Sequence, residues 1–210
     1  FFAARHANHN AVVAATASDL VTVTGQMLAR HDDGKRWGRH AMAAVEELDL
    51  DRRSAEAKLL NHLGVLYRHA GDHDKAIQHY ERALGIQEAE LGTGHALVAR
   101  TLNNLGNAHY AAGDLQRALA YHQRTLELRT RTLSPDHPDV AFSVNNIASI
   151  YAAQKRDSQA ELKYRKAIEI WTASIGERHP DLAHPLNNLG LVVERAGRHE
   201  EAEQLFLRAL

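Results

Sequence analysis

The sequence contains no cysteine, which excludes disulfide bridges and thiolate metal sites and fits a cytoplasmic chain. It carries no excess of either charge: 25 Lys and Arg stand against 26 Asp and Glu, a formal net charge of −1, so no global field draws it to nucleic acid or an anionic membrane. No apolar run approaches the ~18–20 residues of a membrane span, and nothing resembles a signal peptide. The GxxxxGK[ST], GxSxG and HExxH motifs are missing, and "GTG" at 92–94 reads as linker rather than phosphate loop. No catalytic residue, cofactor or metal site is expected. With only four prolines and abundant Ala, Leu, Glu and Arg, the chain reads as helical. It begins "FFAARH" without methionine and stops on Leu210, which reads as an excerpt of something longer.

What is present is a repeat. Gly64, Gly106, Ala148 and Gly190 lie 42 residues apart, and the same step relates Leu63, Leu105, Ile147 and Leu189. It also relates Ala76, Ala118, Ala160 and Ala202, then Tyr80, His122, Tyr164 and Phe206, then Ala83, Thr125, Ala167 and Ala209. Turn-like triplets keep the step: "AGD" at 70–72 and 112–114, "QKR" at 154–156, "AGR" at 196–198. A fixed period of this length is the mark of a repeat array.

Inside a unit, Leu102, Leu105, Gly106 and His109 fall on one helical face, and Leu115, Ala118, Leu119, Leu126 and Leu128 keep a helical period beyond the Gly113-Asp114 turn. Each unit is therefore a helical hairpin. Small residues such as Gly106 and Ala118 let two antiparallel helices approach closely, and the ring at 80, 164 and 206 fills the seam. Pro138 and Pro180 suit the first turn of a helix. His95, His137 and His179 recur at one linker position, which argues for a structural role there. Pro185, about five residues into its helix, predicts a kink or a delayed start.

The pattern Leu-Gly…Tyr…Ala…Tyr/Phe…Ala resembles the tetratricopeptide repeat. The 42-residue period, "LNNLG" and the "HPDVA"/"HPDLA" linkers resemble its kinesin-light-chain-like branch. Gly64, Tyr67, Ala76, Tyr80 and Ala83 match the family's packing positions. His109, His122 and Thr125 depart from them, as does Val193 where a Tyr is expected. The resemblance implies an all-α fold, a right-handed superhelical solenoid of antiparallel hairpins with repeats at 57–98, 99–140, 141–182 and 183–210, the last stopping at the end of its second helix. It also implies a module without catalytic activity that binds proteins or peptides in a concave groove lined by the first helices. Residues 1–56 fit poorly and read as a degenerate N-terminal hairpin or cap, with helices near 11–30 and 36–48 and a turn at "HDDGK", 31–35. There Gly38, Met42 and Val45 repeat the spacing of Ala76, Tyr80 and Ala83 38 residues early, and Trp37 reads as core or cap.

Paired asparagines recur in the first helices, although Asn is a poor helix-interior residue. The second members define a stripe away from the packing face: Lys58, His62, Val65 and His69; Arg100, Asn104, Asn107 and Ala111; Phe142, Asn146, Ser149 and Ala153; His184, Asn188, Leu191 and Arg195. The stripe holds three fixed cations, three histidines and no carboxylate; a wider window admits Arg68 and Glu194. Asn amides offer donor and acceptor together and can hold an extended peptide by its backbone. Lys58 and Arg100 would favour an acidic or carboxylate-bearing partner, and Phe142 offers an apolar anchor. The competing reading is that asparagines tie helices to one another, and it suits the first members, Asn61, Asn103, Asn145 and Asn187. A second function class is a regulatory or oligomerisation arm of a larger signalling ATPase or effector. Phe206, Leu207 and Ala209 predict either a longer array or end-to-end self-association through 199–210. The His6/His9 and His69/His73 pairs have metal-compatible spacing but no completing ligands, and an RNA reader lacks stacking aromatics.

Overall fold

The computed structural model describes the backbone of residues 2–48 and 51–210, and the side chains of all of these except 2–9 and 26. Among the described residues there is no strand. The chain divides into two compact units, Phe1–Gly113 and Asp114–Leu210.

The first unit contains α1 (Phe2–Thr22), a π-helical turn (Val23–Met27), α2 (His31–Glu46), α3 (Arg52–His69), α4 (His73–Leu91) and α5 (Ala96–Ala111). The second contains α6 (Leu115–Thr132), α7 (Pro138–Ala153), α8 (Asp157–Ile175), a 3-10 turn (Pro180–Leu182), α9 (Ala183–Arg195) and α10 (His199–Arg208). The helices pair as α1–α2 and α3–α4 in the first unit and as α7–α8 and α9–α10 in the second. First helices also lie side by side, α1 and α5 flanking α3 in one unit and α7 touching α9 in the other.

The repeated small residues are set by rings. A Cβ on Gly64 would sit 2.4 Å from Tyr80 Cε1, and one on Gly190 would sit 2.5 Å from Phe206 Cε1. Both are closer than any packed core tolerates, so Gly is required there. Ala148 holds the same register, and its hairpin is tied instead by Tyr164, whose hydroxyl donates to Ser149 Oγ at 3.0 Å. The "AGD" turns place Gly71 and Gly113 at φ +79° and +82°. Asp72 and Asp114 then cap α4 and α6, accepting from Lys75 N at 3.2 Å and Arg117 N at 3.0 Å. In "QKR" the left-handed position falls to Lys155, φ +60°, and Arg156 provides no side-chain cap. Its guanidinium lies 4.4 Å from the Tyr151 ring centroid instead.

The recurring linker histidines are helix caps. Nδ1 of His95, His137 and His179 accepts from the backbone N–H two residues on, at 3.1, 3.1 and 3.3 Å. Pro185 delays its helix: where α5 and α7 begin directly after their histidines, Pro180–Leu182 is 3-10 and α9 starts at Ala183. Pro185 is thereby kept within the first turn, where its missing N–H has no partner to lose.

Consecutive hairpins meet at seams whose chemistry changes while the register holds. In the first unit Thr101 Oγ1 lies 2.7 Å from Gln87 Oε1 and 3.0 Å from Asn61 Oδ1, and Asn61 Nδ2 donates to Ala57 O at 3.0 Å. All three side chains are buried. In the second unit Arg129 Nη1 donates to Ser143 Oγ and to Asp139 O, both at 2.9 Å. One step further the matching residues are Trp171, 1% exposed, and buried Pro185. Trp171 Nε1 and Asn145 Oδ1 are buried there without a hydrogen-bond partner. Asn145 occupies the register of Asn61, and Pro185 has no hydroxyl to offer where Thr101 has one.

Two expectations for residues 1–56 are corrected. "HDDGK" is not a turn but the first turn and a half of α2, and the reversal lies in the π-helical turn and residues 28–30. The cause is a glycine crossing: a Cβ on Gly34 would lie 3.1 Å from Gly25 Cα and 2.9 Å from Leu66 Cδ1, so these residues form a contact face and not a loop. Of the two places read for Trp37, core or cap, the core is excluded: it is 38% exposed on α2, 5.8 Å from the His40 ring. Gly38 and Val45 are buried and Met42 packs partly against the same cluster, which makes α2 the second helix of its hairpin.

Candidate functional site

The stripe is carried by the exposed side of the first helices. In the first unit Lys58, His69 and Arg100 are exposed and His62, Asn104 and Asn107 half-buried; in the second Phe142, His184 and Arg195 are exposed and Asn146, Ser149 and Asn188 half-buried. None is in the core, because the i, i+3/i+4 face opposite them takes Leu59, Leu63, Leu102 and Leu105 in one unit and Val144, Ile147, Leu186 and Leu189 in the other.

Within α3 and α5 the structure brings Lys58, His62 and Arg100 together. His62 Nδ1 lies 2.8 Å from Ser18 Oγ and 3.1 Å from Ser18 O on α1, so one ring nitrogen is committed to the neighbouring helix. Burial lowers the His62 pKa below its usual value, and Lys58 and Arg100 lower it further, so the ring stays neutral at pH 7. His69 is likewise lowered, by burial first and then by Arg68 and His31, and its Nε2 lies 3.2 Å from Arg68 Nη2. Asn104 and Asn107 make no hydrogen bond through their amides among the described residues.

In the second unit Phe142 stands edge-on to Trp171, ring centroids 4.9 Å apart at 85°. Ser149 is occupied within its own hairpin, accepting from Tyr164 and donating to Asn145 O at 3.1 Å. Arg195 grips Asp157 of α8 through two bonds of 2.6 and 3.1 Å, and those bonds hold the Asp157 carboxyl below the usual carboxylate range.

The carboxylate-free character of the stripe therefore holds only within α3, α5, α7 and α9 taken one helix at a time. Asp19, from α1, sits 3.7 Å from Lys58 Nζ, and Asp157, from α8, neutralises Arg195. Neither could be seen from spacing within one helix, since each arrives by tertiary packing. Among the described residues Arg100 is the stripe cation with no carboxylate within ion-pair distance. The first asparagines divide: Asn61 is buried and bonded across the seam, Asn145 is buried at one oxygen, and Asn187 is exposed. Among the described residues no group of three or more His, Asp or Glu could hold a metal ion; the side chains of His6 and His9 lie outside the described residues. No described helix is long and apolar enough to cross a membrane.

The tetratricopeptide repeat family model matches residues 12–89, 55–131, 97–173 and 163–210. No curated protein sequence matches the chain. Among solved structures the chain is similar to BtubC (BKLC) from P. vanneervenii, at 27% identity and a TM-score of 0.83 over 99% of this chain and 84% of that one. It is also similar to a Podosopora anserina kinesin light chain with nearly identical TPR-like repeats, at 19% identity and 0.73 over 92% of each chain. Apo RapI matches at 18% identity and 0.75 over 91% of this chain and 68% of that one. At these last two identities the likeness is one of fold.

Proposed function

This chain belongs to the tetratricopeptide repeat family of protein–protein interaction modules, and from that premise we propose that its first helices bind an extended peptide bearing carboxylates. The observation that carries the reading is the set of half-buried amides, Asn104, Asn107 and Asn188, which bond to nothing else among the described residues. A half-buried amide keeps both donor and acceptor ready for a backbone that presents N–H and C=O in alternation. Arg100 supplies the charge-assisted bond, while Lys58 exchanges Asp19 for the ligand. In the second unit Phe142, braced on Trp171, offers an apolar contact of its own.

A pooled peptide screen should enrich Asp- and Glu-containing ligands whose affinity falls as salt rises. Asn104→Ala and Asn188→Ala should each weaken binding by about 1–3 kcal/mol with little change in melting temperature. Enrichment of basic peptides overturns the reading. So does a variant that melts early yet binds normally when folded.

A second reading, self-association, is favoured by α10, where Leu207 is 56% exposed beside half-buried Phe206. Light scattering on the chain and on Leu207→Glu tests it. A monomer at high concentration removes it.

A further inference from the structure

The first unit contains a cleft of about 510 Å³ between the N-terminal half of α3, the C-terminal end of α4 and the first turns of α5. Its size lies within the roughly 300–1,000 Å³ range of small-molecule sites. One wall is apolar, formed by Ile86, Leu91 and Leu97. Leu91 is 42% exposed, an unusual position for a leucine with a neighbouring hollow. Lys58 and Arg100 also line the cleft.

Gln87, 3% exposed, belongs to the lining as well. Its Oε1 is taken by Thr101 at 2.7 Å. Among the described residues its Nε2 has no partner, and the cleft it lines is the space open to that donor. An acceptor in the cleft would take the hydrogen bond that this donor has free. Asp51 and Glu90 also line the cleft, but Glu90 is engaged by Arg53 at 3.1 Å. Arg100 is not engaged by a carboxylate.

The hollow has a structural origin. Trp171 holds the register of Gln87 two repeats on, and there an indole fills the seam completely, at 1% exposure. Gln87, smaller and turned onto Thr101, leaves room.

We propose that this cleft binds a small amphiphilic carboxylate, its oxygens on Gln87 Nε2, Arg100 and Lys58 and its hydrocarbon body along Ile86, Leu91 and Leu97. A primary amine of the same length meets Arg100 and Lys58 and is repelled. A neutral alcohol keeps the apolar contact and loses the charge-assisted bonds. The site shares Lys58 and Arg100 with the peptide reading above but does not require a peptide.

The test titrates octanoate, octanol and octylamine into the 210-residue chain by calorimetry, with amide chemical shifts to locate the site. Octanoate should bind saturably at one site, moving resonances of α3, α4 and α5, with the other two about tenfold weaker or worse. Arg100→Gln should weaken octanoate about tenfold, and Gln87→Trp, which places in the first seam the residue of the third, should abolish binding. Should Gln87→Trp fail to fold, Arg100→Gln, a change at an exposed position, carries the test alone. Absence of saturable binding, equal binding of octylamine, or indifference to Arg100→Gln overturns the proposal. An acidic peptide that binds when octanoate does not removes the cleft and leaves the peptide reading. Octanoate binding without peptide binding does the reverse.

Discussion

The first and third seams hold the same register positions 84 residues apart and solve the same packing problem in opposite ways. At the first, Gln87, Thr101 and Asn61 share one hydroxyl in a buried polar knot and leave a cleft beside it. At the third, Trp171 and Pro185 close the space with apolar surface, and the cost appears as two polar atoms, Asn145 Oδ1 and Trp171 Nε1, buried unpaired. The difference shows what a 42-residue repeat conserves. Residues that set helix separation return in kind, whereas residues between hairpins are free to exchange hydrogen bonding for volume.

The comparison breaks most visibly at its largest side chain. Trp171→Ala should destabilise the second unit by about 3–5 kcal/mol through the cavity it opens, against about 1–3 kcal/mol for Gln87→Ala in the first unit. Equal losses in chemical denaturation would mean that the two seams are equivalent. A second test uses His122, which takes the ring position of Tyr80 and Tyr164. Burial, aided by Arg129, lowers its pKa from 6.5 to about 4. The unfolded chain therefore protonates first as the pH falls. The neutral ring's contribution is complete above pH 6.5 and is lost towards pH 4, a change of about 3 kcal/mol. His122→Phe should flatten the urea midpoint across that window relative to wild type; an unchanged slope contradicts a buried neutral histidine. Thr101→Val should cost about 1–3 kcal/mol by stranding Asn61 and Gln87, whereas Pro185→Thr should gain up to about 1 kcal/mol by giving Asn145 Oδ1 a donor. A loss in both would show that the third seam does not want the hydroxyl. The smallest effect belongs to the "QKR" turn: Lys155→Gly removes a left-handed lysine and should raise stability by about 0.5–1 kcal/mol, read as a melting shift.

Much of the fold was legible because it rests on local spacing. The 42-residue step marked Gly64, Gly190, Tyr80 and Phe206 as packing positions, but it set small residue against small residue and left the rings to the seam; only the folded hairpin shows Gly64 against Tyr80 and Gly190 against Phe206. Pro185 announced a late helix by local spacing. The N-terminal hairpin was misread at "HDDGK", since Gly and Asp are turn residues by propensity and only the crossing of Gly34 over Gly25 makes them helical. Trp37 was read as core or cap, and α2 turns it towards solvent. The candidate site was legible as a face and not as an electrostatic surface. Lys58 and Arg195 were read with their helix neighbours, but their charges are answered by Asp19 and Asp157, each on another helix. Gln87 carried no signal in the sequence; its significance comes from Thr101 reaching it from α5.

The histidine caps bear on how such a chain tolerates change. α5, α7 and the 3-10 turn ahead of α9 take their starting points from their own linkers, through one imidazole nitrogen and one N–H two residues away. An irregular opening, such as the 3-10 turn before α9, is therefore absorbed where it occurs, and His179 still caps at 3.3 Å. The linkers work like the indexing notches of a ratchet: each resets the count, so a residue gained or lost in one hairpin is not passed on as a phase error to the next. Evolution can then edit hairpins one at a time.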